Sequence, residues 1–301
     1  MKEALHIVNR ETCRGDGICA EICPEDVLIM RDGMAVTIDE RADDCILCGQ
    51  CVAVCPNEAI SMPKLPNKDF HELKMPSFGY DEFLGFLHYR RSVRRFRNRR
   101  VPDDVRDKIL EAAATAPMGF PPHSTKVLII DTRDEMEYLL KETVKSYAAT
   151  VKAFSNPIGR LMVRLAAGAD DYAMLKDKIV DTAAYANREY TRDGTDRYMY
   201  RAPMIMFFHA SRRAMSYVES AHLVCHHAML AAVSLGLGTT ILGLVPPVID
   251  RSKALRARYG IPGENKVITS LILGYPKYRY RKGIRRDLAG IRVHGHNAGT
   301  V

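Results

Sequence analysis

The chain has 301 residues, 47% of them hydrophobic and 27% charged, and its 44 Lys and Arg against 36 Asp and Glu leave a net charge of +8. This length suggests two domains of unequal size, and the composition is that of a soluble globular protein with a sizeable core. No apolar stretch is long enough to span a bilayer, and Met1-Lys2-Glu3-Ala4 lacks the apolar core of a signal peptide, so neither a membrane-spanning nor a secreted protein is expected.

Seven of the eight cysteines fall between Cys13 and Cys55. In a chain with no export signal that density means metal rather than disulfides, and a reducing cytoplasm as the expected compartment. The second run, Cys45-x-x-Cys48-x-x-Cys51-x-x-x-Cys55-Pro56, brings three soft thiolates into one tight loop, as iron–sulfur ligation requires. Gly49 lets the backbone turn closely around an inorganic core, and Pro56 stops the helix. The first run, Cys13-x-x-Asp16-Gly17-x-Cys19-x-x-x-Cys23-Pro24, repeats the design 32 residues earlier, with Asp16 where Cys48 stands. The repeat predicts two pseudo-symmetric halves, each a strand, a ligand loop, a helix and a second strand, with Val27–Met30 and Ala59–Met62 as the closing strands.

Over residues 1–62 these motifs resemble dicluster bacterial ferredoxins. In such proteins the fourth cysteine of each run reaches across to the other cluster. The resemblance therefore implies one [4Fe–4S] cluster on Cys23, Cys45, Cys48 and Cys51. It implies a second on Cys13, Cys19 and Cys55, with Asp16 at the fourth position. Because a carboxylate is a harder ligand than a thiolate, the second is either a [4Fe–4S] cluster with one labile iron or a [3Fe–4S] cluster. A zinc domain is the alternative, but tetrahedral zinc does not need seven thiolates in crossed pairs.

Residues 63–79, with Pro63, Pro66, Pro76 and Gly79, read as a linker, and a new domain spans 80–301. Phe83, Phe86 and Leu87 have helical spacing. Val101-Pro102-Asp103-Asp104 opens a second helix with Ile109 and Leu110 on its buried face, and the turn Ala116-Pro117-Met118-Gly119 ends it. Lys126–Asp131 reads as a buried strand. Residues 141–200 form a long, mostly helical stretch. There Tyr185, Tyr190, Tyr198 and Tyr200, with Arg188 and Arg192, make either a lid or an ordinary surface helix. Arg201–Phe208 is a central strand, Glu219–Leu235 an Ala-rich helix closed by Gly236, and Lys266–Leu273 the final strand.

The order Arg-Arg-Ser-Val-Arg-x-Phe, Val-Pro, Ala-x-x-Ala-Pro, strand resembles the flavin-dependent nitroreductase family over residues 80–290. That resemblance implies an α+β fold, a mixed sheet wrapped by helices, and FMN at the interface of a homodimer. By position, Arg90, Arg91, Ser92 and Arg94 would hold the FMN phosphate and ribityl chain, since guanidinium groups bind phosphate in bidentate fashion. Pro117, Met118 and Gly119 would approach the flavin from the partner subunit. Leu242, Gly243 and Leu244 would offer backbone groups to the ring, and Arg285 or Arg286 would complete the phosphate site. The chain departs from the family at Met118–Thr125, where the usual amide side chains are missing.

The basic runs Arg90–Arg100 and Lys277–Arg286 lie in no nucleic-acid-binding motif, so phosphate or an acidic redox partner is the expected counter-charge. His222, Cys225 and His226 share one helix face, as either a metal site or core packing. No Gly-x-Gly-x-x-Gly follows a strand, so no dedicated NAD(P)H domain is expected. The expected activity is an FMN oxidoreductase with a built-in ferredoxin, reducing a nitro, quinone or activated-alkene acceptor, with a soluble ferredoxin or similar donor and no protein acid or base named. Two rivals stand beside it: a dehydrogenase that reduces ferredoxin, and a non-catalytic relay or redox sensor.

Overall fold

The computed structural model describes residues 4–65 and 70–294. In the N-terminal module β1 (Ile7–Val8) and α1 (Ile18–Glu21) lead to a hairpin of β2 (Leu28–Arg31) and β3 (Met34–Thr37). The hairpin turns on Asp32 (φ 49°) and Gly33 (φ 76°), both left-handed, which matches the twist of the flanking strands. A 3-10 turn over Asp39–Asp44 then leads to α2 (Gln50–Val54) and β4 (Ile60–Ser61). β1 pairs antiparallel with β4, so the first strand of one half closes on the last strand of the other. Leu28, Ala35, Ile60 and Met62 are buried between the halves together with Cys19 and Cys51.

Among the described residues, 70–79 carry neither helix nor strand; residues 66–69 of the expected linker lie outside them. α3 (Tyr80–Tyr89) starts where the Glu82 carboxylate accepts a hydrogen bond from the Gly79 N–H. α4 (Asp103–Ala114) carries Asp103 and Asp104 in its first turn, where they favour the positive end of the helix dipole. β5 (Thr125–Ile130) follows, then the helices α5 (Arg133–Phe154), α6 (Pro157–Ala167), α7 (Ala169–Met174) and, after a π-turn, α8 (Val180–Asp193). β6 (Met204–Ser211), α9 (Tyr217–Ser234), β7 (Gly238–Leu242), α10 (Pro246–Arg251), α11 (Lys253–Arg258) and β8 (Asn265–Gly274) complete the domain.

The sheet order is β5-β6-β8-β7, and every one of these pairings is antiparallel. Among the described residues, the expected mixed character enters only through a parallel bridge between Ser92 and Thr239. β5 is an edge strand whose residues are mostly half-buried, with only Ile130 fully covered, so the sequence overstates its burial. β6 and β8 are covered on both faces. Met204, Met206 and Phe208 pack with α4 and α9, whereas Ile205 and Phe207 pack with α5, α8 and α10. Strand alternation sends successive side chains to the two layers, which is why this run reads as continuously apolar. Burying Phe207 and Phe208 completely contributes roughly 1.5–3 kcal/mol each.

Tyr198 of the expected lid belongs to this core: it is 2% exposed, stacks on Tyr147 at 5.3 Å and donates to Asn187 at 2.8 Å. Arg192 pairs with Glu189 and Asp193, so it is engaged on its own helix.

Candidate functional site

Two small cavities sit in the N-terminal module. One is lined by Cys13, Asp16, Cys19 and Cys55, the other by Cys23, Cys45, Cys48 and Cys51. Each set thus takes one cysteine from the opposite half of the repeat. The electrostatics agree: burial raises the Cys19 thiol first, and Cys55 and Asp16 add to it. Burial likewise pushes Cys51 up to about 12, with Cys48, Cys45 and Cys23 as charged neighbours. Such thiols stay protonated until a cation replaces the proton, as iron does.

Left-handed glycines make both loops possible. Gly17 (φ 76°) and Gly49 (φ 72°) each precede a short helix and follow the equivalent ligand positions Asp16 and Cys48. Both Asp16 oxygens have donors, the Ile18 N–H at 3.2 Å and the Asn57 amide at 3.4 Å. Cys55 Sγ accepts the Ala59 N–H at 3.3 Å, a contact of the kind that tunes a thiolate ligand.

In the larger domain, residues 90–97 run extended from the end of α3 and join two elements. The Val93 N–H donates to Thr239 O at 2.9 Å, and Thr240 Oγ1 donates to Val93 O at 2.6 Å, fastening the segment to the free edge of β7. Beyond it Phe96 bridges Pro276, the Arg97 N–H donates to Tyr275 O at 2.8 Å, and the Lys277 N–H to Arg95 O at 2.9 Å. Alternation then divides the side chains. Val93 is buried against Gly238, and Arg91 lines the same cleft as Val93, while Ser92 and Arg94 are exposed outside it. The structure therefore parts Arg91 from Ser92 and Arg94. Arg94 lies 5.8 Å from the Tyr200 ring. Arg90 is near enough to His226 to lower it, after burial and His227.

The turn at Pro117, Met118 and Gly119 is pinned to the start of α9, where the Gly119 N–H donates to Ser220 Oγ at 3.0 Å. A Cβ on Gly119 would run into the Met215 carbonyl, so a side chain there would push the loop away. At the end of β7, Leu242 O already accepts from Ser270 at 3.1 Å and Leu244 O from Tyr147 at 2.8 Å. Of the three residues expected to offer backbone groups, Gly243 is the exposed one, with open space where a Cβ would sit. Ile241, which the sequence reading did not single out, is 49% exposed while Leu242 is 8%. Strand alternation beginning at Gly238 was the signal that could have found it.

Arg285 and Arg286 lie in an exposed irregular stretch and make no hydrogen bond or ion pair with another described residue. On α9, His222 and His226 are exposed beside Leu223, but Cys225 is 1% exposed and burial pushes it up to about 12. The expected three-residue face is therefore not formed: the cysteine faces the sheet and the histidines face away.

Residues 87–275 match the Nitroreductase family, and residues 5–57 match the 4Fe-4S dicluster domain. A protein of Archaeoglobus fulgidus, provisionally named NADH dehydrogenase/NAD(P)H nitroreductase, is 26% identical over 198 residues, covering 65% of this chain and 87% of the relative. An uncharacterized ferredoxin of Methanocaldococcus jannaschii is 45% identical over 42 residues, covering 14% of this chain and 26% of the ferredoxin. Among solved structures, a Bacteroides fragilis nitroreductase with bound FMN matches with a TM-score of 0.52 and 21% identity, over 70% of this chain and 97% of that one. A Desulfitobacterium hafniense nitroreductase with bound FMN gives 0.51 and 22%, over 70% and 97%. These two likenesses establish the fold. The chain belongs to the nitroreductase family of oxidoreductases, with a 4Fe-4S dicluster domain at its N-terminal end.

Proposed function

We propose that the protein is an iron–sulfur FMN oxidoreductase that takes single electrons into its N-terminal module and delivers them in pairs to a small nitro, quinone or activated-alkene acceptor. The observation that carries this reading is the crossed pair of thiol-lined cavities on the same chain as a nitroreductase-family domain. When bound, the clusters supply one-electron transfer, and the flavin supplies conversion between one- and two-electron chemistry.

The residues fit these groups. Cys23, Cys45, Cys48 and Cys51 offer four soft donors around one cavity; Cys13, Cys19 and Cys55 offer three around the other, with Asp16 as a carboxylate. Asn57 and the Ile18 N–H hold that carboxylate at the cavity. For FMN, Arg90, Ser92 and Arg94 are the phosphate and ribityl anchors, Ile241 and Gly243 form the open surface at the end of β7, and Pro117–Gly119 come from the partner subunit. Arg91, on the other side of the segment, and Arg285 or Arg286, from the exposed stretch after β8, complete the proposed phosphate site. Cationic guanidinium groups near a flavin favour its anionic reduced form. We divide the chain into 1–62, a linker at 63–79, and 80–301. A homodimer is supported by apolar residues left exposed on α3, on α9 and after β8: Phe83, Leu223, Ile284, Leu288 and Ile291.

The test is anaerobic purification with iron, sulfide and flavin quantification and electron paramagnetic resonance. The reading fails if FMN is absent or the metal is not iron. Redox titration decides direction: clusters well below the flavin potential mean substrate reduction, and clusters above it mean a dehydrogenase that reduces ferredoxin. Turnover of any small acceptor under dithionite excludes a mere relay.

A further inference from the structure

The cleft behind the 90–97 segment has a volume of about 350 Å³, within the range of small-molecule sites. Five cations line it, Arg91, Arg97, Arg99, Lys277 and Arg279, and no carboxylate does. Among the described residues none of the five makes an ion pair, although the neighbouring Arg100 pairs with Asp103 at 2.6 Å and with Asp131 at 3.6 Å. Four tyrosines complete the walls: Tyr89, Tyr275, Tyr278 and Tyr280. Two of the cations are held in place rather than free to swing away. Arg97 Nε donates to Pro276 O at 3.1 Å, and Arg99 lies 4.1 Å over the Tyr275 ring. Tyr278 and Tyr280 are 63% and 50% exposed, with Lys277 Nζ 5.6 Å from the centre of the Tyr278 ring.

We infer that this cleft binds a nucleotide carrying two or more phosphates. Five like charges around one cavity give it a positive potential that draws in polyanions. Guanidinium groups bind phosphate oxygens in bidentate fashion, and aromatic rings stack a base without reading its identity. FMN carries one phosphate, and the proposed anchors Ser92 and Arg94 do not line the cleft, so its separation from the flavin site rests on the proposed function.

The experiment is calorimetric titration of the full-length protein with ADP, inorganic pyrophosphate and adenosine. ADP and pyrophosphate should saturate and adenosine should not. Lys277→Glu with Arg279→Glu should weaken ADP at least tenfold while flavin content and melting temperature stay unchanged. Tyr278→Ala should weaken ADP about tenfold and leave pyrophosphate unchanged. The inference is overturned by the absence of saturable ADP binding, by an ADP affinity indifferent to charge reversal, or by displacement of FMN by ADP, which would make the cleft the flavin's own phosphate pocket.

Discussion

Gly238→Ala tests whether the 90–94 segment is held on β7 as described. Gly238 opens β7 directly beneath Val93, and a methyl there would sit 2.6, 2.7 and 2.8 Å from three Val93 side-chain carbons. Real Cβ contacts are longer, so the segment must lift. Lifting strains the Val93 N–H bond to Thr239 and the 2.6 Å bond from Thr240 to Val93 O. Overpacking of this kind costs about 1–3 kcal/mol. For a domain of this size each kcal/mol lowers the melting temperature by about 2–4 °C, so the expected drop is about 2–12 °C. Since Ser92 and Arg94 ride on the same segment, flavin content should fall with it. Val93→Ala removes two of the three opposing carbons, leaving Cβ, and should partly restore both readouts, giving a coupling of about 1 kcal/mol or more in a double-mutant cycle. Differential scanning fluorimetry and flavin absorbance suffice as assays. A variant that melts within 1 °C of wild type (about the assay error) with full flavin, or a double variant no better than the single, would refute this placement.

Cys23→Ala should perturb the cluster faced by Cys45, Cys48 and Cys51 and spare the one faced by Cys13 and Cys19; resonance spectra showing the reverse would sink the crossed assignment. Asp16→Cys should raise iron from about seven to about eight atoms per chain and remove any three-iron signal, if the fourth iron is the labile one. Ile241→Glu places a charge on the open face of β7 and should lower flavin affinity tenfold or more with little change in melting temperature; retained affinity would argue against that face. Burial, with Lys126 and Arg256 nearby, lowers His209 to about 4 from its ordinary 6.5. The unfolded chain takes up the proton first, so stability is full above pH 6.5, declines between 6.5 and about 4, and is flat below. His209→Gln, retaining an amide opposite Asn265, should remove that share of the decline in melts between pH 7 and 4; an unchanged slope would disprove the assignment.

The element order of the larger domain was readable because its strands and helices are long and strongly patterned. β6 and β8 appear as apolar runs, and α9 ends in a Schellman turn, with Gly236 N–H bonded to Val233 O and Leu237 N–H to Ala232 O. The burial of β5 was not readable, because an edge strand and a central strand share the same β-branched composition. Nor was the fate of Tyr198. A tyrosine beside arginines reads as a surface group until its Asn187 partner and the Tyr147 ring are brought to it.

What the sequence carried by itself is the 4Fe-4S dicluster character of the N-terminal module. Thiolate spacing acts over a few residues, and the pairing of Cys23 and Cys55 with the opposite halves is what the resemblance to dicluster ferredoxins implies. Tertiary structure alone decided how neighbouring residues divide between faces: Arg91 from Ser92 and Arg94, Ile241 from Leu242, Cys225 from His222 and His226. The physical reason is the same in each case. Strand and helix periods state which residues share a face, but which face is covered depends on the element docked there. Here Thr239, Gly238 and the strands under α9 supply that covering from positions far away in the chain.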